Sequence, residues 1–448
     1  MQASVACQRY LQRHIQPGLN DCSYPPGYWQ NVLVIPAYSE APELLQRLAS
    51  LPAGTGRALV ILVLNRPDSD PNPDTNSALR QACDELPIGS AATASPALRR
   101  LNQHTDLYLH DLERLSGPVP AAEGVGLARK IGCDLAFRWI MQGAIAGPWI
   151  SSGDADARFP PDYFLQLHSL PGKTVAAIYP FRHIPGPDEA CNTATALYEL
   201  RLHHYRLGLE YAASPYALHT LGSCLAMKAD HYAQVRGVPK RAGGEDFYLL
   251  NKLAKLGPIA KLEGYCIALQ SRHSHRAPFG TGPAVAAISA DKNPLQRPLY
   301  YHPACFEALR CLLIAIPALR QEPDQQELGK QLQGCGLAPD LVEATIAVVE
   351  SQGLETALLH CRQHGKTAAQ FLRHFNQWFD ALRTLKFVHG IRDAGWPLQA
   401  LSQLQTLAPN LWPGGDNAAE PEVLRAAVMR HWGWRELPRN QIPAGYCP

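Results

Sequence analysis

Two runs of the chain contain almost no polar position. Asn31-Val-Leu-Val-Ile-Pro36 stops at a proline, and Ala58-Leu-Val-Ile-Leu-Val-Leu64 stops in the turn-rich stretch 65–76. A parallel strand covered on both faces reads this way. Residues 107–110 and 175–179 are further strand candidates. Between such runs the spacing changes: 42–51 reads as helical, and within 121–142 Ala128, Ile131, Leu135 and Trp139 recur at 3–4 spacing on one helical face. Trp149-Ile-Ser-Ser leads into Gly153-Asp-Ala-Asp156, Pro160-Pro161 is placed to open a helix, and 189–211 reads as a long helix. Strands alternating with helices over about 280 residues predict an α/β fold with a Rossmann-type, mainly parallel sheet flanked by helices. Ligands of such sheets bind beyond the carboxyl ends of the strands, where 38–40, 65–68 and 154–156 fall.

The pattern changes after Pro294. Phe371, Phe375, Trp378, Leu382 and Leu385 step by four and three, and Leu354, Leu358 and Cys361 repeat the spacing, which predicts a mostly helical C-terminal region packed through these faces. The expected organisation is an extension over 1–30, an α/β domain over 31–294 and a helical domain over 295–448.

Composition narrows the function. Lys+Arg 41 against Asp+Glu 39 gives a net charge of +2, which excludes a dedicated basic nucleic-acid binder. Hydrophobic residues at 46% exclude a largely disordered chain. No apolar run approaches the roughly 20 residues of a spanning helix, and the N-terminus lacks the apolar segment of a signal peptide. Twelve cysteines are scattered without a C-x-x-C pair, as in a reducing compartment. These features predict a soluble, cytoplasmic protein, with peripheral membrane contact left open.

Four stretches carry chemistry. Asp154-Ala-Asp156 follows a strand, so two carboxylates one residue apart can share a divalent cation; D-x-D also suits a solvated turn, and its position at a strand end favours the site. Arg129 and Lys130, near the start of a helix, suit an anionic diphosphate or a basic surface. Glu245 and Asp246 follow two glycines at another helix start, where acids cap the helix or where one serves as a general base. The segment Ser271-Arg272-His-Ser-His275-Arg276 gathers cations and imidazoles in a polar loop suited to an anion or a metal.

In order, Val-Ile-Pro36-Ala-Tyr38-Ser-Glu40, Gly-Leu-Ala-Arg129-Lys130-Ile-Gly132, Asp154-Ala-Asp156 and Gly-Gly-Glu245-Asp246 resemble a family 2 glycosyltransferase of the GT-A fold, over roughly 31–282. The resemblance implies a nucleotide-diphosphate-sugar donor and Mn²⁺ or Mg²⁺. It places Pro36, Tyr38 and Glu40 in the nucleotide pocket, Asp154 on the ribose or the metal, and Asp156 on the metal, with His275 as a further metal contact. Asp246, with Glu245 beside it, matches the acid pair that supplies the base. Arg272, His275 and Arg276 would hold the leaving diphosphate. The second strand ends in Asn65-Arg-Pro-Asp68 rather than an acidic pair, which leaves Asp68 as the candidate for reading the base.

The resemblance implies a metal-dependent, inverting sugar transfer to an acceptor hydroxyl, and the absence of the Q-x-x-R-W motif and membrane helices of processive members predicts a single transfer. A His at the metal also occurs among retaining GT-A enzymes. Two other readings stay open: a sugar-nucleotide nucleotidyltransferase, which would carry a Gly-rich basic loop where this chain has Ser39-Glu-Ala-Pro-Glu43, and a non-catalytic carbohydrate- or partner-binding module. The acceptor and the oligomeric state are not specified by any motif.

Overall fold

The structure is a computed structural model describing residues 4–19, 28–52, 54–88, 97–274, 276, 280–321, 324–407, 411–413 and 420–438. It divides into two compact units that interleave along the chain. The first comprises Met1–Asn192, Thr220–Ala286 and Gly433–Pro448, and the second Thr193–His219 and Ala287–Trp432.

The strands are β1 (Asn31–Ala37), β2 (Ala58–Leu64), β3 (Leu98–Arg100), β4 (Thr105–Asp111), β5 (Trp149–Ser152), β6 (Ala157–Arg158), β7 (Ala176–Ile178), β8 (Phe181–Ile184), β9 (Leu225–Lys228), β10 (Ile259–Lys261), β11 (Gly264–Tyr265), β12 (Ile267–Gln270) and β13 (Trp434–Arg435). An eight-stranded sheet has the order β10-β7-β9-β5-β1-β2-β4-β3. Its pairs are parallel except at β9, which lies antiparallel between β5 and β7, and at the edge strand β3. The smaller sheets are β6-β12-β8 and β11-β13. This is the α/β class with a mainly parallel, helix-flanked sheet and a helical C-terminal region expected from the sequence.

Every residue of β1 and β2 is buried. The helix Gly124–Met141 packs on β1, β2 and β5. Gly132 permits this, because a Cβ there would stand 2.3 Å from Val34 Cγ1. Most of this helix is buried around its circumference, so its 3–4 stripe understates its burial. The weakest predicted strand, 107–110, is β4, paired in parallel with the whole of β2. Its buried Asp106 receives hydrogen bonds from Trp29 Nε1 at 2.9 Å and Arg57 Nη2 at 2.7 Å. After Pro160-Pro161 the chain makes turns and only the short helix Leu165–His168.

In the second unit, the apolar stripe beginning at Phe371 is split between two helices, Ala368–Trp378 and Ala381–Asp393. Asp380 causes the break by capping the second helix, accepting from the Leu382 and Arg383 amides at 3.2 Å. Phe371 and Phe375 reach the core as expected. The second helix instead buries Thr384, Phe387, Val388 and Ile391. Glu199, fully buried, is held by Arg425 at 2.7 and 3.0 Å.

Candidate active site

The chain runs from β1 through β2 to β4 on one side of β1, then returns to place β5 on the other. That reversal opens a crevice at the carboxyl ends of β1 and β5, the place where open α/β sheets bind ligands. Tyr38, Ser39 and Glu40 leave β1 there, and Gly153 to Asp156 leave β5. All site residues described below belong to the first unit.

Ser39 adopts φ 53°, a left-handed conformation uncommon for a residue with a side chain. Its amide donates to Asn76 Oδ1 at 3.0 Å, and Asn76, fully buried, donates in turn to the Asn65 carbonyl at 3.0 Å. Those bonds tie the ends of β1 and β2 together. Tyr38 donates to Asp70 at 2.9 Å, and Thr75 donates to the same carboxylate at 2.8 Å. The Asn72 amide and the Thr75 hydroxyl hold the Asp70 carboxyl below its usual range. Pro36 is buried within β1 opposite Val63, so it shapes the strand rather than lining a pocket. Asp68 accepts the Ala121 amide at 2.9 Å and anchors a loop. Asp70 is the acid that meets Tyr38.

Three arginines organise the other acids. Arg129, 2% exposed, donates to Asp154 at 2.7 Å, Glu245 at 3.0 Å, Ser152 Oγ at 2.5 Å and the carbonyls of Gly222 and Gly153 at 3.1 and 3.2 Å. Burial opposes its charge, but Asp154 and Glu245 outweigh burial and raise its pKa. A Cβ at Gly222 would stand 2.6 Å from the Arg129 guanidinium, so a side chain there would displace the arginine. Arg272 grips Glu40 through two bonds, at 2.9 and 3.1 Å, and reaches Asp156 at 3.0 Å. Arg276 also pairs with Glu40 and donates to the Tyr38 carbonyl at 3.1 Å. Burial alone would raise the Glu40 pKa, yet the two guanidinium groups bring it below the usual value. Asp156 is pushed upward by burial, with Asp154 and Glu40 adding repulsion against the pull of Arg272.

Asp246 lies in the first turn of the helix Glu245–Leu253, whose N-cap Gly244 has φ 70°. Its Oδ2 accepts the Gly222 amide at 2.8 Å and its Oδ1 accepts the Phe247 amide at 2.7 Å. Burial, reinforced by neighbouring Glu245, pushes it up to about 7. Glu245 itself is buried against Arg129.

Lys130 does not face this site. Consecutive helical residues point about 100° apart, so Lys130 turns away from the crevice when Arg129 enters it. Its ammonium donates to Asp134 at 2.9 Å, the His14 carbonyl at 2.9 Å and Tyr10 at 2.7 Å, fastening the helix Val5–Arg13 to the domain. His275 lies outside the described residues, and His273 pairs with Asp188 at 3.0 Å.

Among the described residues, no group of three His, Cys, Asp or Glu side chains is placed to hold a metal ion. Asp154 and Asp156 each meet an arginine instead. Their chemistry still suits Mg²⁺ or Mn²⁺: hard carboxylate oxygens, one pair per ion, with the remaining positions left to water and phosphate. Burial raises Asp156 first and repulsion from Asp154 adds to it, and a cation between the two carboxylates would relieve that repulsion.

No family model matches the chain, and no curated protein matches it. Among solved structures, one from a mycobacterial protein is similar at 15% identity and a TM-score of 0.29, over 69% of this chain and 76% of that one. Glucosyl-3-phosphoglycerate synthase from Mycobacterium tuberculosis, solved with Mn²⁺ and UDP-glucose, is similar at 14% identity and a TM-score of 0.29, over 58% and 75%.

Proposed function

We propose that the chain is a metal-dependent glycosyltransferase, similar to family 2, moving one sugar from a nucleotide-diphosphate donor to an acceptor hydroxyl with inversion. The observation that carries this reading is the pairing of two unlike acidic centres in one crevice. Asp154 and Asp156 stand with Arg129 and Arg272, while Asp246 accepts the Gly222 and Phe247 amides and is a carboxyl tuned to about 7.

A base works best when its pKa lies near the working pH. Asp246 fits that need: ionised, it accepts the acceptor's hydroxyl proton as the oxygen attacks the anomeric carbon. The glycosidic bond to the diphosphate breaks in the same displacement, and the nucleoside diphosphate leaves with the bonding pair. Arg272 and Arg276 are within the same cluster and offer planar donor sets for diphosphate oxygens. Glu245 holds Arg129, and Arg129 holds Asp154, so these two orient one of the acids that would bind the ion. A cation held by Asp154 and Asp156 would offset charge on the leaving diphosphate.

The nucleotidyltransferase alternative needs a basic loop after β1. Instead Glu40 occupies that position, itself receiving two arginines. A donor screen read by nucleotide-diphosphate release, with calorimetry of UDP- and GDP-sugars with and without Mn²⁺, tests the proposal. Metal-dependent binding of at least one sugar nucleotide is expected, and Asp156→Ala should remove the metal dependence. Absence of binding by every sugar nucleotide would refute the transferase.

A further inference from the structure

A second charged feature lies outside the acid–arginine crevice. The helix Val5–Arg13 buries Cys7 and Tyr10 and exposes Val5, Arg9 and Arg13, which follow one another at four-residue spacing along one side. His14 closes this helix. Its imidazole is held below its ordinary pKa first by desolvation and then by Arg236, Lys130, Arg13 and Arg9. Exposed Lys252 is depressed likewise, by desolvation and then by Arg236, Arg241 and Lys130. Gly237 lies against Tyr10, where a Cβ would stand 2.3 Å from the tyrosine hydroxyl, and Lys252 Nζ donates to the Val235 carbonyl at 3.5 Å, so the turn that carries Arg236 lies between the N-terminal helix and the helix Glu245–Leu253.

Lys130 is already neutralised by Asp134. Arg9, Arg13, Arg236, Arg241 and Lys252 form no ion pair among the described residues, although Arg241 lies over the Tyr248 ring at 4.1 Å. These five exposed cations lie on the N-terminal helix, on the Arg236 turn, and on the loop and helix that follow it. Arg236 is also held at φ 65°, an uncommon backbone state for a residue with a long side chain. The cations come from a helix, a turn and a second helix, so they match an extended array of phosphates better than a single enclosed anion. Val5, 71% exposed, shares the stripe with Arg9 and Arg13 and adds an apolar contact that is useful at an acyl boundary.

We infer that this Arg236-centred face docks on the surface of a membrane containing anionic phospholipid. Arg241 lies five residues before Asp246, and its carbonyl accepts the Gly126 amide at 2.9 Å, at the base of the helix that carries Arg129. The inference goes beyond the transferase reading and does not depend on it.

Sedimentation with vesicles of phosphatidylcholine alone and of phosphatidylcholine mixed with phosphatidylglycerol tests it, since vesicle binding requires neither donor nor turnover. Binding is expected only to the mixed vesicles and should weaken as ionic strength rises. Each removed cation should weaken partitioning roughly fivefold. Arg9→Gln with Arg13→Gln, both on an exposed helix face, should together weaken it about 25-fold. Arg236→Asn, whose side chain tolerates the left-handed backbone, supplies an independent variant, and an unchanged melting temperature shows that each variant is folded. Equal partitioning onto both vesicle types, or unaltered binding by folded variants, would overturn the inference. So would loss of vesicle binding to low concentrations of inorganic diphosphate, or duplex DNA binding that depends equally on the same arginines.

Discussion

Replacing Asp246 by Asn separates two consequences of the same carboxyl. In the folded protein burial and Glu245 raise Asp246 from 3.8 to about 7. Between those values the folded chain keeps a proton that the unfolded chain has released. The stability Asp246 contributes is therefore complete below about pH 4 and is lost as pH rises through about 7. From about pH 5 to pH 8 the loss spans roughly two units, or about 2–3 kcal/mol at 1.36 kcal/mol per unit. Asn has no such titration, though it forfeits one of the two amide bonds now accepted by the carboxylate, a fixed cost of about 1 kcal/mol. Urea unfolding at both pH values should show the wild type losing about 2–3 kcal/mol relative to the variant as pH rises. Donor binding should survive in the variant while nucleotide-diphosphate release stops. A pH-independent difference would mean the carboxyl ionises normally and would remove the basis for its tuning; normal turnover would remove it as the base.

Arg129→Met leaves Glu245 buried without its partner and should cost about 3–5 kcal/mol, seen as a lowered urea midpoint, with part of the loss recovered at acid pH as the carboxyl is protonated. Lys130→Met strips Asp134 of its ion pair and should cost a similar 3–5 kcal/mol, yet donor affinity measured on the folded fraction should match the wild type. A weakened donor affinity would return Lys130 to the binding site.

The sequence is clearest where one force dominates. β1 and β2 are legible because both faces are covered and every position is apolar. β4 is less so, since Asp106 and His110 interrupt its pattern and are buried by contacts from other elements. β9, four residues long, becomes a strand only because β5 and β7 pair with both its edges. In the site, the acids at 154, 156, 245 and 246 and the arginines at 129, 272 and 276 all have recognisable local settings. The helical turn that divides Arg129 from Lys130 is also written in the sequence, as adjacency. Asp70, Asn76 and Gly222 are not legible in this way. Their importance comes from Tyr38, Ser39 and Arg129, partners 32, 37 and 93 residues distant in the chain.

The internal ion pairs of the crevice have a consequence for ligand order. Glu40, Asp154 and Asp156 cannot sit together ionised without compensation, and Arg129, Arg272 and Arg276 supply it. Arg272 bridges Glu40 and Asp156, so releasing Asp156 to a cation leaves Arg272 and Arg276 sharing the single Glu40 carboxylate, and drawing Arg272 onto a diphosphate leaves Asp156 without its partner. Either ligand alone meets an uncompensated charge, whereas both together replace one set of pairs by another. Mn²⁺ and nucleoside diphosphate should therefore bind with positive coupling of at least about 1.4 kcal/mol, tenfold in each direction by reciprocity. Arg272→Gln removes the bridge, so Mn²⁺ alone should bind more tightly to the variant than to the wild type while the coupling to diphosphate falls. Calorimetric titration of each ligand in the absence and presence of the other measures both quantities. Independent binding in the wild type would show that the crevice is not held by exchangeable pairs and would detach Arg272 from the proposed donor site.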